Sequence, residues 1–315
     1  MLKLHIDDKM GGIPRYRLMR QDEPIMYVPD EIRKCVVFIF CYDEQRREVA
    51  LGTGFLVLVQ NQDWKRGFDY LVTAKHVLVA AQEKYKAEAV TVRVNRVQGD
   101  YIDVECPIDQ WEYHDEDTSV DAAVIPWSHI PGIDVKLIVY HYAVDQDIIR
   151  DEGIGIGDEL FLTGVFVAHR GKARTLPIVR VGNIARMPEE KIPTKHFGDI
   201  EAYLVEVRSI GGLSGSPVFV HLGQARMVKD SFVPGRPRFY WLGLMHGHYY
   251  REIPDEGADH IMMNASESHE WNMGIAIVVP ATKVLEILNK PLFADLRQKL
   301  LKQLDEEALP KEDGD

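Results

Sequence analysis

Apolar residues along this chain come in short runs and not at helical spacing. From about residue 33 the runs are "KCVVFIFCY", "GTGFLVLV", "YLVTAKHVLVA", "AVTVRVNRV" and "DAAVIPW", with charged and turn-forming residues between them. β-branched and aromatic runs bounded this way predict the strands of an antiparallel sandwich or barrel. A second series follows: "ELFLTGVFVA", "PIVRVGNIARM", "AYLVEVRSI", "GSPVFV", "FYWLGLMHG" and "NMGIAIVVP". Two sets of similar length predict two β-domains, residues 33–127 and 159–280, after an N-terminal segment of residues 1–32. Residues 128–158 carry mixed signals and are expected to connect the domains, with a strand or short helix of their own. Within them "GIGIG", at 153–157, lacks the third glycine of a nucleotide-binding loop and leads into a strand pattern, so it is expected to be a turn. After Pro280 the pattern turns helical, broken at Pro291, with Leu292, Leu296, Leu300 and Leu304 four residues apart. Residues 281–315 therefore predict an amphipathic helix packed on the β-domains, followed by an acidic tail.

Composition narrows the function. The chain of 315 residues is 46% hydrophobic and 27% charged, an ordinary balance for a globular protein. Its net charge of -12 argues against nucleic acid as a partner, because that binding draws on clustered Lys and Arg. The longest apolar run, "CVVFIFCY", is too short to span a bilayer, and the N-terminus has no apolar core of a secretory signal. Membrane partners are not expected. The 3 cysteines, Cys35, Cys41 and Cys106, are odd in number and lack zinc spacing. They predict buried thiols and a reducing, cytoplasmic setting.

Candidate chemistry sits in three segments. A serine nucleophile needs a base, a group that orients the base, and donors for the developing oxyanion. "SIGGLSGSPVFV" at 209–220 offers Ser214 and Ser216 among glycines; "TAKH" puts His76 at the end of an apolar strand; "DAAVI" opens another strand on Asp121. A carboxylate there must be exposed or hydrogen-bonded, and a histidine N–H would serve. Each segment alone is ordinary turn or strand chemistry.

Taken in this order, "TAKH", "DAAVI" and "GLSGSP" resemble the chymotrypsin-like serine protease family, in particular the bacterial trypsin-like peptidases and glutamyl endopeptidases. "LGTGFLV" and "MGIAIVVPATKVLEIL" resemble the strand before the family's histidine and its last strand with the C-terminal helix. The resemblance covers roughly residues 33–290. It implies an all-β fold of two six-stranded antiparallel β-barrels with a C-terminal α-helix and the site in the cleft between them. It implies Ser214 as nucleophile, His76 as general base, Asp121 as its orienting partner, and the backbone N–H groups of Gly212 and Ser214 as the oxyanion hole, with no cofactor and no metal. The substrate would be a protein or peptide.

Leu213 departs from the family pattern. It stands where activatable trypsins carry the aspartate that pairs with a newly cut N-terminus, so activation of that kind is not expected, and the enzyme would be constitutively competent or controlled by a partner, substrate or loop ordering. The segment 251–272 is a candidate for such a loop. Arg208, six residues before the nucleophile, and His246 with Gly247 in "GLMHGHYY" are the candidate substrate-binding residues. A cation or histidine there would favour an acidic side chain before the cut. His246 and His248 on one strand would share a face, but no third ligand is evident for a metal. Two other functions compete. One is a catalytically silent protease-like binding module. The other is an α/β-hydrolase esterase, disfavoured by the absence of G-x-S-x-G and by a carboxylate that precedes the serine.

Overall fold

Thirteen residues of near-continuous pairing, β4 (Glu48–Gln60), form the spine of the first half. The computed structural model describes residues 4–7, 15–18, 28–61, 66–169, 171–194, 197–207, 212–223, 225–228, 231–234, 238–252 and 270–308. A small hairpin, β1 (Leu4–Asp7) with β2 (Arg15–Leu18), and a one-turn helix α1 (Asp30–Arg33) come first. The first half then comprises β3 (Val36–Tyr42), β4, β5 (Gly67–Thr73), β6 (Ala89–Asn95), β7 (Tyr101–Pro107), β8 (Glu112–Tyr113), β9 (Ala123–Trp127) and β10 (Ile138–Val139). They form one sheet in the order β7-β6-β3-β4-β5-β9-β8, with β10 lying parallel to β4.

This sheet is open, which corrects the expectation of two closed six-stranded barrels. The two outermost strands explain why. β8 pairs over two residues only, and β7 alternates outward-facing Tyr101, Asp103 and Glu105, whose charges blunt a free edge. A second difference lies in "YLVTAKHVLVA". The strand β5 stops at Thr73, and Lys75–Tyr85 form a helix, α2. Leu, Ala, Gln, Glu and Lys favour helix, and Val77, Leu78 and Ala81 recur on its buried side.

The second half meets the six-strand expectation. β11 (Glu159–Val165), β12 (Pro177–Arg186), β15 (Tyr203–Glu206), β16 (Pro217–Leu222), β19 (Arg238–Glu252) and β20 (Glu270–Pro280) close into an antiparallel barrel in the order β11-β12-β15-β20-β19-β16. Two small hairpins decorate it: β13 (Ile192–Thr194) with β14 (Gly198–Ile200), and β17 (Ala225–Val228) with β18 (Ser231–Pro234). The connection carries β10 and a helix, α3 (Gln146–Glu152), which ends on Gly153 in the left-handed region, so "GIGIG" is a turn into β11.

Two helices close the described chain, α4 (Ala281–Leu288) and α5 (Pro291–Ala308), with Pro291 at the first position of α5, where its missing N–H costs nothing. α4 lies against β9 of the open sheet and β19 and β20 of the barrel, and α5 packs on the first half. Ile287, Leu288 and Phe293 join its core, and Phe293 stacks edge-on against Tyr70 at 5.1 Å. The leucine stripe is not the face that packs. Leu292, Leu300 and Leu304 are exposed, and Leu296 is half-buried. α5 leaves α4 through a tight turn at Asn289 and Lys290, and Phe293, fully buried, is its anchor.

The core crosses between the halves. Phe161, Phe219, Trp241, Leu244 and Val279 of the barrel belong to the same apolar cluster as Phe55 and Leu71 of the open sheet. The cysteines Cys35, Cys41 and Cys106 are buried and unpaired, and burial raises each thiol above its ordinary value, Cys106 to about 11. No helix among the described residues is long and apolar enough to cross a membrane.

Candidate active site

Strand pairing brings the histidine and aspartate segments together. β5 and β9 are antiparallel, with Thr73 opposite Ala123. The chain leaving β5 therefore passes the chain about to form β9, and His76 at the start of α2 meets Asp121 two residues ahead of β9. The backbone N–H of His76 donates to Asp121 Oδ1 at 2.8 Å, and the ring pairs through Nδ1 with Oδ2 at 2.7 Å. Nδ1 carries the proton in this pair, which leaves Nε2 as the acceptor of the neutral ring.

A third group joins them. His246 Nδ1 lies 2.5 Å from the same oxygen, Asp121 Oδ2. A bulge puts it there. In the pairing of β19 with β20, Met245 faces Val278 and Gly247 faces Ile277, so His246 is the extra residue. An unpaired residue of this kind re-aims its side chain away from the alternation of the strand. His246 and His248 thus lose the shared face that regular alternation would give them.

Asp121 has no solvent exposure. Burial by itself would raise its carboxyl, but the adjacent His76 and the hydrogen bonds from both rings outweigh that and hold it well below the usual carboxylate range. Burial also works against a charged His76, yet the charge of Asp121 and their hydrogen bond raise its imidazole above the ordinary value of 6.5. The His76 side chain is 31% exposed, so the imidazole reaches the surface while its partner is sealed.

Ser214 stands in a turn held from both halves. Thr53, at the middle of β4, donates its N–H to the carbonyl of Ser214 at 2.9 Å and its hydroxyl to the carbonyl of Gly212, also at 2.9 Å. The Thr53 hydroxyl accepts from Val165 N–H at 3.0 Å, and the Thr53 carbonyl accepts from the Thr73 hydroxyl at 2.8 Å. Thr73 ends the strand that delivers His76, so one buried pair of threonines ties the His76 segment to the Ser214 segment. From the barrel, Gly215 N–H donates to Met245 and Met245 N–H to Ser216, both at 2.8 Å. Two glycines permit the turn. Gly212 has φ +94° and Gly215 φ +81°, and a Cβ on Gly215 would fall 2.2 Å from the Thr53 carbonyl.

Among the described residues the Ser214 hydroxyl makes one hydrogen bond, to the carbonyl of His246 at 3.4 Å, and none to His76. The N–H groups of Gly212 and Ser214 have no acceptor among the described residues. Leu213 is fully buried in the core of the barrel, so packing anchors the turn at the position where a family aspartate would use an ion pair. Ser216 is also buried, with a hydroxyl that has no partner among the described residues. Arg208 lies outside the described residues, as does most of the candidate loop 251–272. Gly247 lies beside the bulge with open space where a side chain would be.

Sequence reasoning passed over three residues. Thr53 and Thr73 sit within quoted motifs, and their burial as polar residues in apolar strands was the available signal. Phe197, at the tip of the β13–β14 hairpin, packs edge-on against His246 at 5.5 Å and His76 at 6.5 Å. Nothing in the sequence of that hairpin points to the site.

His76, Asp121 and His246 also present three donor atoms within 4.8 Å of one another, a possible metal-ligand set. Their spacing is that of hydrogen bonds. Both rings hold the same oxygen, at 2.7 and 2.5 Å, whereas ligands about 2.0–2.2 Å from a tetrahedral zinc stand more than ~3 Å apart. The donors do not fit an ion as they stand.

No family model matches the chain, and no curated protein does. Among solved structures it is similar to Deg5, at 15% identity and a TM-score of 0.44 over 81% of this chain and 87% of that one. It is similar to the MamO protease domain from Magnetospirillum magneticum, at 11% identity and 0.46, over 81% and 96%. It is also similar to the active form of the Rv3671c protease from M. tuberculosis, at 17% identity and 0.44, over 85% and 92%. Identity and scores this low carry no argument about activity, and the functional case stands on the side chains described above.

Proposed function

We propose that the protein is a serine endopeptidase that cuts peptide bonds through an acyl-enzyme, with His76, Asp121 and Ser214 as its triad. The observation that carries this reading is the pairing of His76 with a sealed Asp121, beside a serine turn tied to the same two strands through Thr53 and Thr73. Turning the Ser214 Oγ off the His246 carbonyl frees it for His76 Nε2; such bonds are often unformed until substrate binds. Oγ then attacks the scissile carbonyl carbon as Nε2 takes its proton, and Asp121 stabilises the resulting imidazolium. The N–H groups of Gly212 and Ser214 hold the oxyanion of the tetrahedral intermediate. Collapse breaks the C–N bond, the imidazolium returns its proton to the leaving amine, and water repeats the sequence on the acyl-enzyme.

Acidic preference before the cut, through Arg208 or His246, belongs to this reading, with His246 also engaged with Asp121. One observation favours the alternative of a silent binding module, namely that the Ser214 hydroxyl rests on a carbonyl and not on the base.

A fluorophosphonate probe separates the two. Wild type and Ser216→Ala are expected to label, Ser214→Ala not at all. A folded wild type that takes no label at any pH sinks the enzyme reading. Label that survives Ser214→Ala and disappears in Ser216→Ala moves the nucleophile.

A further inference from the structure

We infer that His246 is a second donor to Asp121, a positioning residue that shares the carboxylate with His76 and so loosens its hold on a proton at His76. The inference rests on the endopeptidase reading for its consequence, although not for its geometry. One carboxylate oxygen receives two imidazoles, at 2.7 and 2.5 Å. Each donation needs a proton on Nδ1, so in the neutral pair both rings carry that proton and both Nε2 atoms are unprotonated. The carboxylate supplies one negative charge, and its other oxygen is already taken by the His76 N–H.

The rings stand 5.6 Å apart between centroids, and there is one buried anion to serve both. An oxygen that also accepts from His246 holds a proton on His76 less firmly than one that accepts from His76 alone.

Among the described residues, the two rings and the His76 N–H are the groups on the carboxylate. From α2 itself, Lys75 donates to the Thr118 carbonyl and lies over the rings of Tyr113 and Phe197. The β13–β14 hairpin presents the neutral ring of Phe197. The loop ahead of β9 brings Asp117, paired with Lys191 at 3.7 Å. On β19 the other imidazole is His248, two residues beyond, which burial lowers below its ordinary value.

Two variants separate hydrogen bonding from titration. His246→Asn keeps an N–H donor that cannot titrate, and His246→Leu keeps bulk without a donor. Imidazole NMR of the full chain should show the His76 ring titrating about 0.5–1 unit higher in His246→Leu than in wild type, with His246→Asn between the two. Fluorophosphonate labelling should then fall about 3- to 10-fold in His246→Leu near pH 6 while staying within about 2-fold near pH 8.5. A His76 titration unchanged by either substitution overturns the inference. So does a labelling loss equal at all pH values, which is what a merely structural role would give. If no form of the protein labels, the endopeptidase reading has failed, and the NMR titration still decides whether the carboxylate is shared.

Discussion

A buried carboxylate keeps its charge only if donors replace the water it has lost, and Asp121 has three of them. Asp121→Asn removes the charge and offers an amide N–H to a ring that must donate, which favours the wrong tautomer of His76. The expected outcome is a fall in labelling rate of roughly 10⁴-fold with the fold retained, measured beside circular dichroism. The pH dependence has two parts with opposite signs. Asp121 is held below its ordinary 3.8, so its stabilisation is present above that value and is lost as pH falls through its lower folded value. His76 is raised above its ordinary 6.5, so its stabilisation is full below 6.5 and is lost as pH rises through its folded value. Activity needs the neutral ring, so the labelling rate should climb with pH over the same interval in which the stabilisation from His76 is lost. Parallel pH profiles of rate and melting temperature check this; a rate that peaks at pH 5 would contradict it. Thr53→Val is the test of the bridge between base and nucleophile. It leaves the Gly212 carbonyl and the Val165 N–H without their partner, which should cost about 1–3 kcal/mol in urea unfolding and lower the labelling rate more than Ser216→Ala does.

At the scale of elements, α5 sets the sequence pattern against the packing. The stripe of Leu292, Leu300 and Leu304 faces solvent, while Phe293 fills the contact with Tyr70, and Arg297 reaches the Tyr70 hydroxyl at 3.0 Å and the Leu288 carbonyl at 2.9 Å. Phe293→Ala should destabilise the protein by about 3–5 kcal/mol, and Leu300→Ala should stay within about 0.5 kcal/mol, both read from thermal or urea unfolding. The reverse ranking would mean that the leucines carry the helix. The same contrast marks what was legible beforehand. Strands with strong β-branched runs were visible, as was the pairing of "TAKH" with "DAAVI", because chain order and motif chemistry are local properties. The closure of one half and the openness of the other were not, since they depend on how the outermost strands end. His246 was legible as a histidine near the site but not as a partner of Asp121. A single inserted residue in β19 decides that, and a bulge leaves no periodic trace.

Across the whole molecule, the site exists only where the halves are joined. The turn carrying Ser214 belongs to the barrel, yet its carbonyl and that of Gly212 are held by Thr53 of the open sheet. Behind them, Phe55 meets Trp241 edge-on at 5.4 Å, both fully buried, and the apolar cluster runs on through Phe161, Leu244 and Val279. α4 follows the barrel in sequence and lies against both halves, and α5 packs on the first, so the chain crosses the seam again after β20. A core shared in this way leaves neither half a boundary along which to unfold alone. The loss of far-ultraviolet dichroism and the loss of fluorophosphonate labelling should therefore coincide along a urea titration, as one cooperative transition. Trp241→Ala empties the centre of the seam, and it should lower the midpoint of both signals together, by about 3–5 kcal/mol of stability. Labelling that disappears well before the dichroism would mean that the halves part while each stays folded. In that case the site would be an interface held weakly by Thr53 and its neighbours, and Trp241→Ala would move the labelling transition alone.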